Sequence, residues 1–256
     1  MKSIFKTLLA CSVLLGALAG CNNSSSKSDK VTLQLKYEKG FEKTIYTVTK
    51  ASQGDMMSMN SIMELKFKLD SVMGDTYRFL VDVNRITSYS KMYDEVEDYD
   101  SDKPESKMTE DEKAVHADFR DVLESEFFIE IDKQGKIIKP FYYKNGTLYS
   151  GDIIEMATIQ ILFPDHEIEI GDEWKNETTV SLTNQKKQFT YTLKEVNDKE
   201  IVIEMKAEVE GLKSMTGSTV LMGTYHLDRK TNQLIKAVLN SNMSGGGKMN
   251  MTIDQK

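Results

Sequence analysis

FKLDSVMGDTYRFLVDV (Phe67–Val83) is answered 124 residues later by YTLKEVNDKEIVIEMKA (Tyr191–Ala207), with the apolar residues in the same phase. Starting two residues earlier, Leu65, Phe67, Leu69, Val72, Tyr77, Phe79, Val81 and Val83 fall on Phe189, Tyr191, Leu193, Val196, Ile201, Ile203, Met205 and Ala207 without a gap. Apolar and polar residues alternate on either side of a short polar break, Met73-Gly74-Asp75 in the first copy and Asn197-Asp198-Lys199 in the second. A period of two sends successive side chains to opposite faces, so each copy reads as an antiparallel β-hairpin with one buried face. Only Leu69/Leu193 and Val72/Val196 are identical between Glu64/Gln188 and Ile86/Glu210, so the pattern repeats rather than the sequence.

The flanking chain extends the β reading. Val31, Leu33, Leu35 and Tyr37 alternate as an expected first strand, and Gly40 turns the chain into a second through Tyr46 and Val48. A loop is expected over Ala51–Asn60. Asp94–Glu112 holds ten carboxylates against Lys103 and Lys107, which predicts a solvated excursion. Thr109 and Glu112 have capping-box spacing, and Val115, Phe119, Val122 and Leu123 form one apolar stripe, so a surface helix is predicted over Glu110–Ser125. Ile131-Asp132-Lys133 and Ile137-Ile138-Lys139 are echoed by Leu227-Asp228-Arg229 and Leu234-Ile235-Lys236, while the three prolines fall outside the expected strands. Asp152–Leu162 is apolar nearly all round, which predicts a buried helix, and Gly245-Gly246-Gly247 marks a reversal before the last strand. The expected fold is mainly β, a duplicated, antiparallel, curved sheet or half-barrel with one buried and one surface helix. It forms a single domain over 31–256, whose halves (31–149 and 164–256) are joined by the helix at 152–162.

The amino terminus carries a different signal. Lys2 and Lys6 precede a short apolar run, Leu8 to Ala19, and Leu18-Ala19-Gly20-Cys21 places small residues directly before a cysteine. The run is shorter than the roughly 20 residues a membrane span needs, so it reads as a secretory signal over 1–20. Residues 21–30 are small and polar, a flexible tether. After loss of Cys11 with the signal, Cys21 stands alone, and no disulfide is expected. Without Lys2 and Lys6, 31 basic residues face 40 acidic ones, which argues against nucleic acid as a partner.

Catalytic and metal signatures are weak or missing. Asp98, Asp100 and Asp102 open like a calcium loop, but Lys103 stands where the turn needs glycine and Thr109 where a bidentate glutamate would close the shell. His116, His166 and His226 share no local metal spacing. Met56, Met57, Met59 and Met63 cluster; their thioethers suit Cu(I), but also an irregular core or a pliable lip over an apolar ligand. Trp174, the single tryptophan, is either a stacking platform for a sugar or peptide, joining the methionines at a ligand lip, or a plug with its indole bonded to backbone. No nucleophile elbow or phosphate-binding loop occurs, so neither catalytic residues nor a cofactor are expected.

The lipobox-like Leu18–Cys21, the repeated module, Gly171-Asp172-Glu173-Trp174 and a closing region with Asp228 and Lys236 resemble an uncharacterised family of Gram-negative envelope lipoproteins, a domain of unknown function. The half-barrel is also similar to the fold of lipoprotein carriers. The first resemblance implies acylation at Cys21, the membrane as a partner through those acyl chains, and outer-membrane residence; Asn22 in place of aspartate fits that sorting. No acidic cluster directly follows Cys21, which points to the periplasmic face. The expected activity is non-catalytic binding of an apolar or amphiphilic ligand; the alternative is a structural partner of other envelope proteins.

Overall fold

The alternating stretches pair into one large, open, curved antiparallel sheet. The computed structural model describes residues 30–149, 161–180, 185–209, 219–242 and 246–255. Its strands are β1 (Glu42–Gln53), β2 (Met57–Met73), β3 (Thr76–Met92), β4 (Glu95–Asp100), β5 (Glu126–Asp132), β6 (Ile137–Tyr143), β7 (Glu173–Val180), β8 (Gln185–Val196), β9 (Glu200–Val209), β10 (Thr219–Asp228), β11 (Leu234–Asn242) and β12 (Lys248–Gln255). They lie in the order β6-β5-β3-β2-β1-β12-β11-β10-β9-β8-β7, with β4 added beside β3. The chain begins in the middle of the sheet, meanders to one edge, crosses to the far edge and meanders back until β12 pairs with β1.

The repeat seen in sequence holds at the level of single residue pairs. Leu65, Phe67 and Leu69 face Val83, Val81 and Phe79 in the first hairpin; Phe189, Tyr191 and Leu193 face Ala207, Met205 and Ile203 in the second. Each ladder then skips one residue, Asp70 before Ser71–Arg78 and Lys194 before Glu195–Val202, so even the β-bulge recurs at the same place. The next strands follow suit: Ile131 pairs with Tyr77 and Ile129 with Phe79, as Leu227 pairs with Ile201 and Tyr225 with Ile203. One face of both halves is buried, with Leu65, Val81, Leu193, Ile201 and Ile203 wholly inaccessible.

The surface helix forms as predicted, as α1 (Glu110–Leu123). The Thr109 side chain accepts from the Glu112 amide, and the Glu112 carboxylate accepts from the Thr109 amide. Val122 is buried, and the Phe119 ring lies 5.5 Å from that of Tyr99 on β4.

Several expectations are corrected. Val31–Tyr37 is extended but forms no strand of the sheet; its one β-bridge among the described residues runs from Val31 to Ile168. The loop expected over Ala51–Asn60 shrinks to Gly54-Asp55-Met56, because both flanking segments continue as strands. The acidic excursion contains β4, where Asp100 accepts from Arg85 Nε at 3.1 Å and Nη2 at 2.6 Å, relieving part of the charge excess. Pro140 lies inside β6, the last strand at that end of the sheet, at the irregularity of the β5 ladder between Glu130–Lys139 and Phe128–Tyr142, so the missing amide falls where regular pairing is already broken. The buried helix expected over 152–162 falls mostly outside the described residues, and Ile161 and Leu162 at its end are not helical. Cys21 and Gly245 also lie outside them.

Thr109→Ala removes the side-chain half of the capping box and is expected to lower stability by about 1 kcal/mol. Urea denaturation followed by circular dichroism would measure it, with the slope unchanged.

Candidate functional site

The segment Val31–Tyr37 spans the concave side as a strap, and its polar backbone is satisfied by the turns of both halves. The Leu35 amide donates to the Lys133 carbonyl at 2.8 Å, and the Lys36 amide to Thr231 at 3.0 Å. Asn232 Nδ2 donates to the Gln34 carbonyl at 2.9 Å, Gln233 Nε2 to Lys36 at 2.6 Å, and Tyr77 Oη to Leu35 at 3.0 Å. Val31, Leu33 and Leu35 send their side chains into the core.

The gripping turns are the repeated Asp132 and Asp228 turns. Asp132 Oδ1 accepts from the amides of Gln134 and Lys136; Asp228 Oδ1 accepts from those of Lys230 and Thr231 and from the Thr231 hydroxyl. Partial burial opposes ionisation of Asp228, yet the bonds from Thr231 and Lys230 hold its carboxyl below the usual aspartate range. Both turns pass through the left-handed region, at Gly135 (φ +82°) and Asn232 (φ +55°). At Gly135 a side chain would also strike the Ile161 carbonyl.

Between strap and sheet lies a cavity of about 110 Å³. The first half contributes Phe41, Phe67, Phe79 and Ile129, the second Tyr225, Leu227, Leu234 and Ile253, and the crossing segment Ile161 and Phe163. Tyr37 packs edge-on against Phe41, Phe79 and Tyr77 at centroid distances of 4.7, 4.8 and 5.1 Å, an arrangement that fixes the wall of the first half.

Few polar groups reach this space. Lys43 Nζ donates to Gln255 Oε1 at 2.6 Å; burial lowers the lysine pKa, while Asp228 acts the other way. Tyr225 is wholly inaccessible and its hydroxyl has no partner among the described residues. Burial, followed by the neighbouring Tyr191, pushes that phenol well above its ordinary pKa, so it stays protonated. Asn232 Oδ1 is also buried without a partner, and the bond from Nδ2 to Gln34 fixes which end of the amide faces away. A buried polar atom left unpaired costs about 1–3 kcal/mol.

The methionine cluster is not at this cavity. Met56 lies in the β1–β2 turn, and Met57, Met59 and Met63 follow on β2, toward the opposite end of those strands from Phe41, Lys43 and Phe67. Met59 borders instead a wider surface depression, with Tyr89, Asn240 and Asn250. Trp174 is buried on β7; its indole Nε1 donates to the Leu162 carbonyl at 2.7 Å and its ring stacks on Tyr191 at 5.3 Å, so it plugs rather than lines. The three histidines stay apart, with Nδ1 of His116 against Tyr99 Oη, of His166 against Asp165 and of His226 against Glu200. Among the described residues no three His, Cys, Asp or Glu side chains converge on a metal-sized site. Sequence reasoning missed the lining residues Lys43, Tyr225, Asn232 and Gln255. The one available signal was Tyr225 standing in the repeat where the first half has Ile129.

An open, strongly curved antiparallel sheet enclosing an apolar hollow defines the class of protein. Residues 153–256 match a family of unknown function (DUF6263). The expectation of a family without an assigned activity is met over that part of the chain. No curated protein matches. Among solved structures, the chain is similar to lipovitellin, in a structure concerned with lipid–protein interactions, with TM-score 0.51 and 10% identity over 86% of this chain and 25% of that one. It therefore spans about a quarter of the lipovitellin chain, and the likeness is one of fold. It is also similar to a LolA superfamily protein from Nitrosomonas europaea (TM-score 0.27, 6% identity, 87% of this chain and 88% of that one). A DUF1329 family protein from Desulfovibrio piger follows (TM-score 0.20, 8% identity, 85% and 84%).

Gly135→Ala forces an alanine into the left-handed region against the Ile161 carbonyl, and about 2 kcal/mol or more of stability should be lost. A thermal melt of the variant checks this, with a drop of several degrees expected.

Proposed function

We propose that this chain is a non-catalytic binding module that takes an apolar or amphiphilic ligand on the concave side of its sheet. The observation that carries the reading is the hollow beneath the strap, walled by Phe41, Phe79, Ile129, Leu227 and Ile253. Each methylene transferred into such a space gains about 0.8 kcal/mol. A dry cavity of about 150 Å³ holds a molecule the size of benzene, so one of about 110 Å³ suits the end of a chain rather than a whole lipid. The similarity of fold to lipovitellin, a protein whose structure concerns lipid–protein interactions, supports the same class of ligand.

Leu234→Trp places an indole at the cavity and should abolish binding of a small apolar probe such as n-hexane, measured by calorimetry, while the melting temperature stays within a few degrees. Equal probe binding by the variant and the parent would refute the reading.

The module is held to the membrane by acyl chains on Cys21, on the periplasmic face of the outer membrane. The support is the sequence Leu18-Ala19-Gly20-Cys21 after a basic and apolar leader. Two or three acyl chains give anchoring that a single chain does not. Cys21→Ala should move the protein from the membrane pellet to the soluble fraction and remove its labelling by radioactive palmitate. A variant that stays in the pellet would count against the anchor.

A second reading, a scaffold for other envelope proteins, is favoured by one observation: β6 and β7 are both edge strands, and Ile137 and Ile138 on β6 are exposed.

A further inference from the structure

The hollow differs between floor and mouth. Phe79, Ile129 and Leu227 are buried, whereas Phe41, Phe67 and Leu234 keep part of their surface exposed. Lys43 and Gln255 belong with the second group, since both line the hollow and both are partly exposed. Lys43 pairs with Phe67 and Gln255 with Ile45, and directly opposed residues share a face of the sheet, so both polar side chains stand on the face that carries those apolar ones. Lys43 Nζ lies 6.0 Å from the centroid of the Phe41 ring, which places the ammonium at the mouth. Resting on the apolar-binding reading, we propose that the hollow takes a molecule of the fatty-acid class, its carboxylate held at the mouth by Lys43 and the end of its tail inside.

Lys43 is the one charged residue among the described residues that line the hollow. Its ammonium has three N–H groups, and its bond is to a neutral acceptor, Gln255 Oε1, at 2.6 Å. The acids around it are otherwise engaged. Glu42 is paired with Lys66 at 2.8 Å on the opposite face, and Asp228, whose field reaches Lys43, spends Oδ1 on the Lys230 and Thr231 amides and the Thr231 hydroxyl. Burial lowers the lysine pKa, as expected of an ammonium short of both water and counter-charge. A carboxylate supplies that charge. With Oε1 turned to the lysine, Gln255 has Nε2 as its other end, a second donor beside the first.

The alternation of β1 supplies an independent indication. Ile45, Thr47, Thr49 and Ala51 continue the face of Lys43 without a charge, while Glu42 and Lys50 lie on the other face. The position of Lys43 is therefore the one on this face of β1 where a charge is kept, and it is where the hollow opens. A single ammonium matches a singly charged head and repels an ammonium head.

The test uses the full chain and calorimetric titration at neutral pH with hexanoate, 1-hexanol and hexylamine, which share one tail and differ in head charge. Hexanoate is expected to bind about tenfold or more tightly than the alcohol, and the protonated amine least tightly. Lys43→Met keeps an apolar stem at the mouth, so the melting temperature should stay within a few degrees; hexanoate affinity should fall about tenfold while hexanol affinity moves less than about twofold. Lys43→Arg, which retains the charge, should restore most of the hexanoate binding. Equal binding of hexanoate and hexanol by the parent, or hexanoate affinity that Lys43→Met leaves unmoved, overturns the carboxylate site while the apolar binding module stands. Tightest binding of hexylamine overturns it as well. Binding of none of the three by the parent overturns both readings.

Discussion

Strands β1 and β12 pair over eight residues, from Ile45–Gln255 to Ser52–Lys248, and this ladder joins the two meanders into one sheet. Its partners are separated by nearly the whole described chain, so the loop-closure entropy is large and must be offset by burial on both sides of the seam. Thr49, Ala51, Met251 and Ile253 supply that burial next to Leu239 on β11. Without the seam, Ile45 and Lys43 from β1 and Ile253 and Gln255 from β12 would not border a common hollow. The cavity is thus a product of the closure, not of either repeat.

The strap is the second constraint, and it is a matter of polar accounting. An extended segment crossing an apolar concavity brings amides and carbonyls that must find partners. It finds them in the duplicated turns: Lys133 from one half and Thr231 from the other receive successive strap amides, while Tyr77, Asn232 and Gln233 answer three successive carbonyls. Because those partners come from both halves, the strap also fixes the spacing of the two turns across the hollow.

The parts of this fold that were legible in sequence are those whose physics is local. Period-two alternation located the hairpins, and a cap with an apolar stripe located the helix. Alternation alone could not separate a strap from a strand, since Val31, Leu33 and Leu35 bury alternate side chains in either case; what differs is where their amides donate, a tertiary fact. β4 was hidden by its charge, because Glu95, Glu97 and Asp98 are poor strand formers and the pairing rests on β3, with Arg85 held by Asp100. The loop expected over Ala51–Asn60 was too long for a related reason, since a loop and a hairpin end rich in Met and Ser look alike until the register of Met57–Gln53 and Met59–Ala51 is known.

A duplicated fold contains its own control, since whatever the architecture requires should occur in both halves. Leu69 and Leu193, the bulges at Asp70 and Lys194, and the aspartates at 132 and 228 all recur, and each has a structural reason to do so. Departures carry the remaining information. The left-handed position is a glycine in the first turn, where a side chain would hit Ile161, and an asparagine in the second, where the amide donates to the Gln34 carbonyl. Ile129 is answered by Tyr225, which adds a hydroxyl with no partner among the described residues. Among the described residues the buried side-chain atoms without a partner are Tyr225 Oη, Asn232 Oδ1 and Ser241 Oγ, each costing about 1–3 kcal/mol against a domain's small net stability. The first half solves the same packing problem with Ile129 and Gly135 and holds no such atom among the described residues.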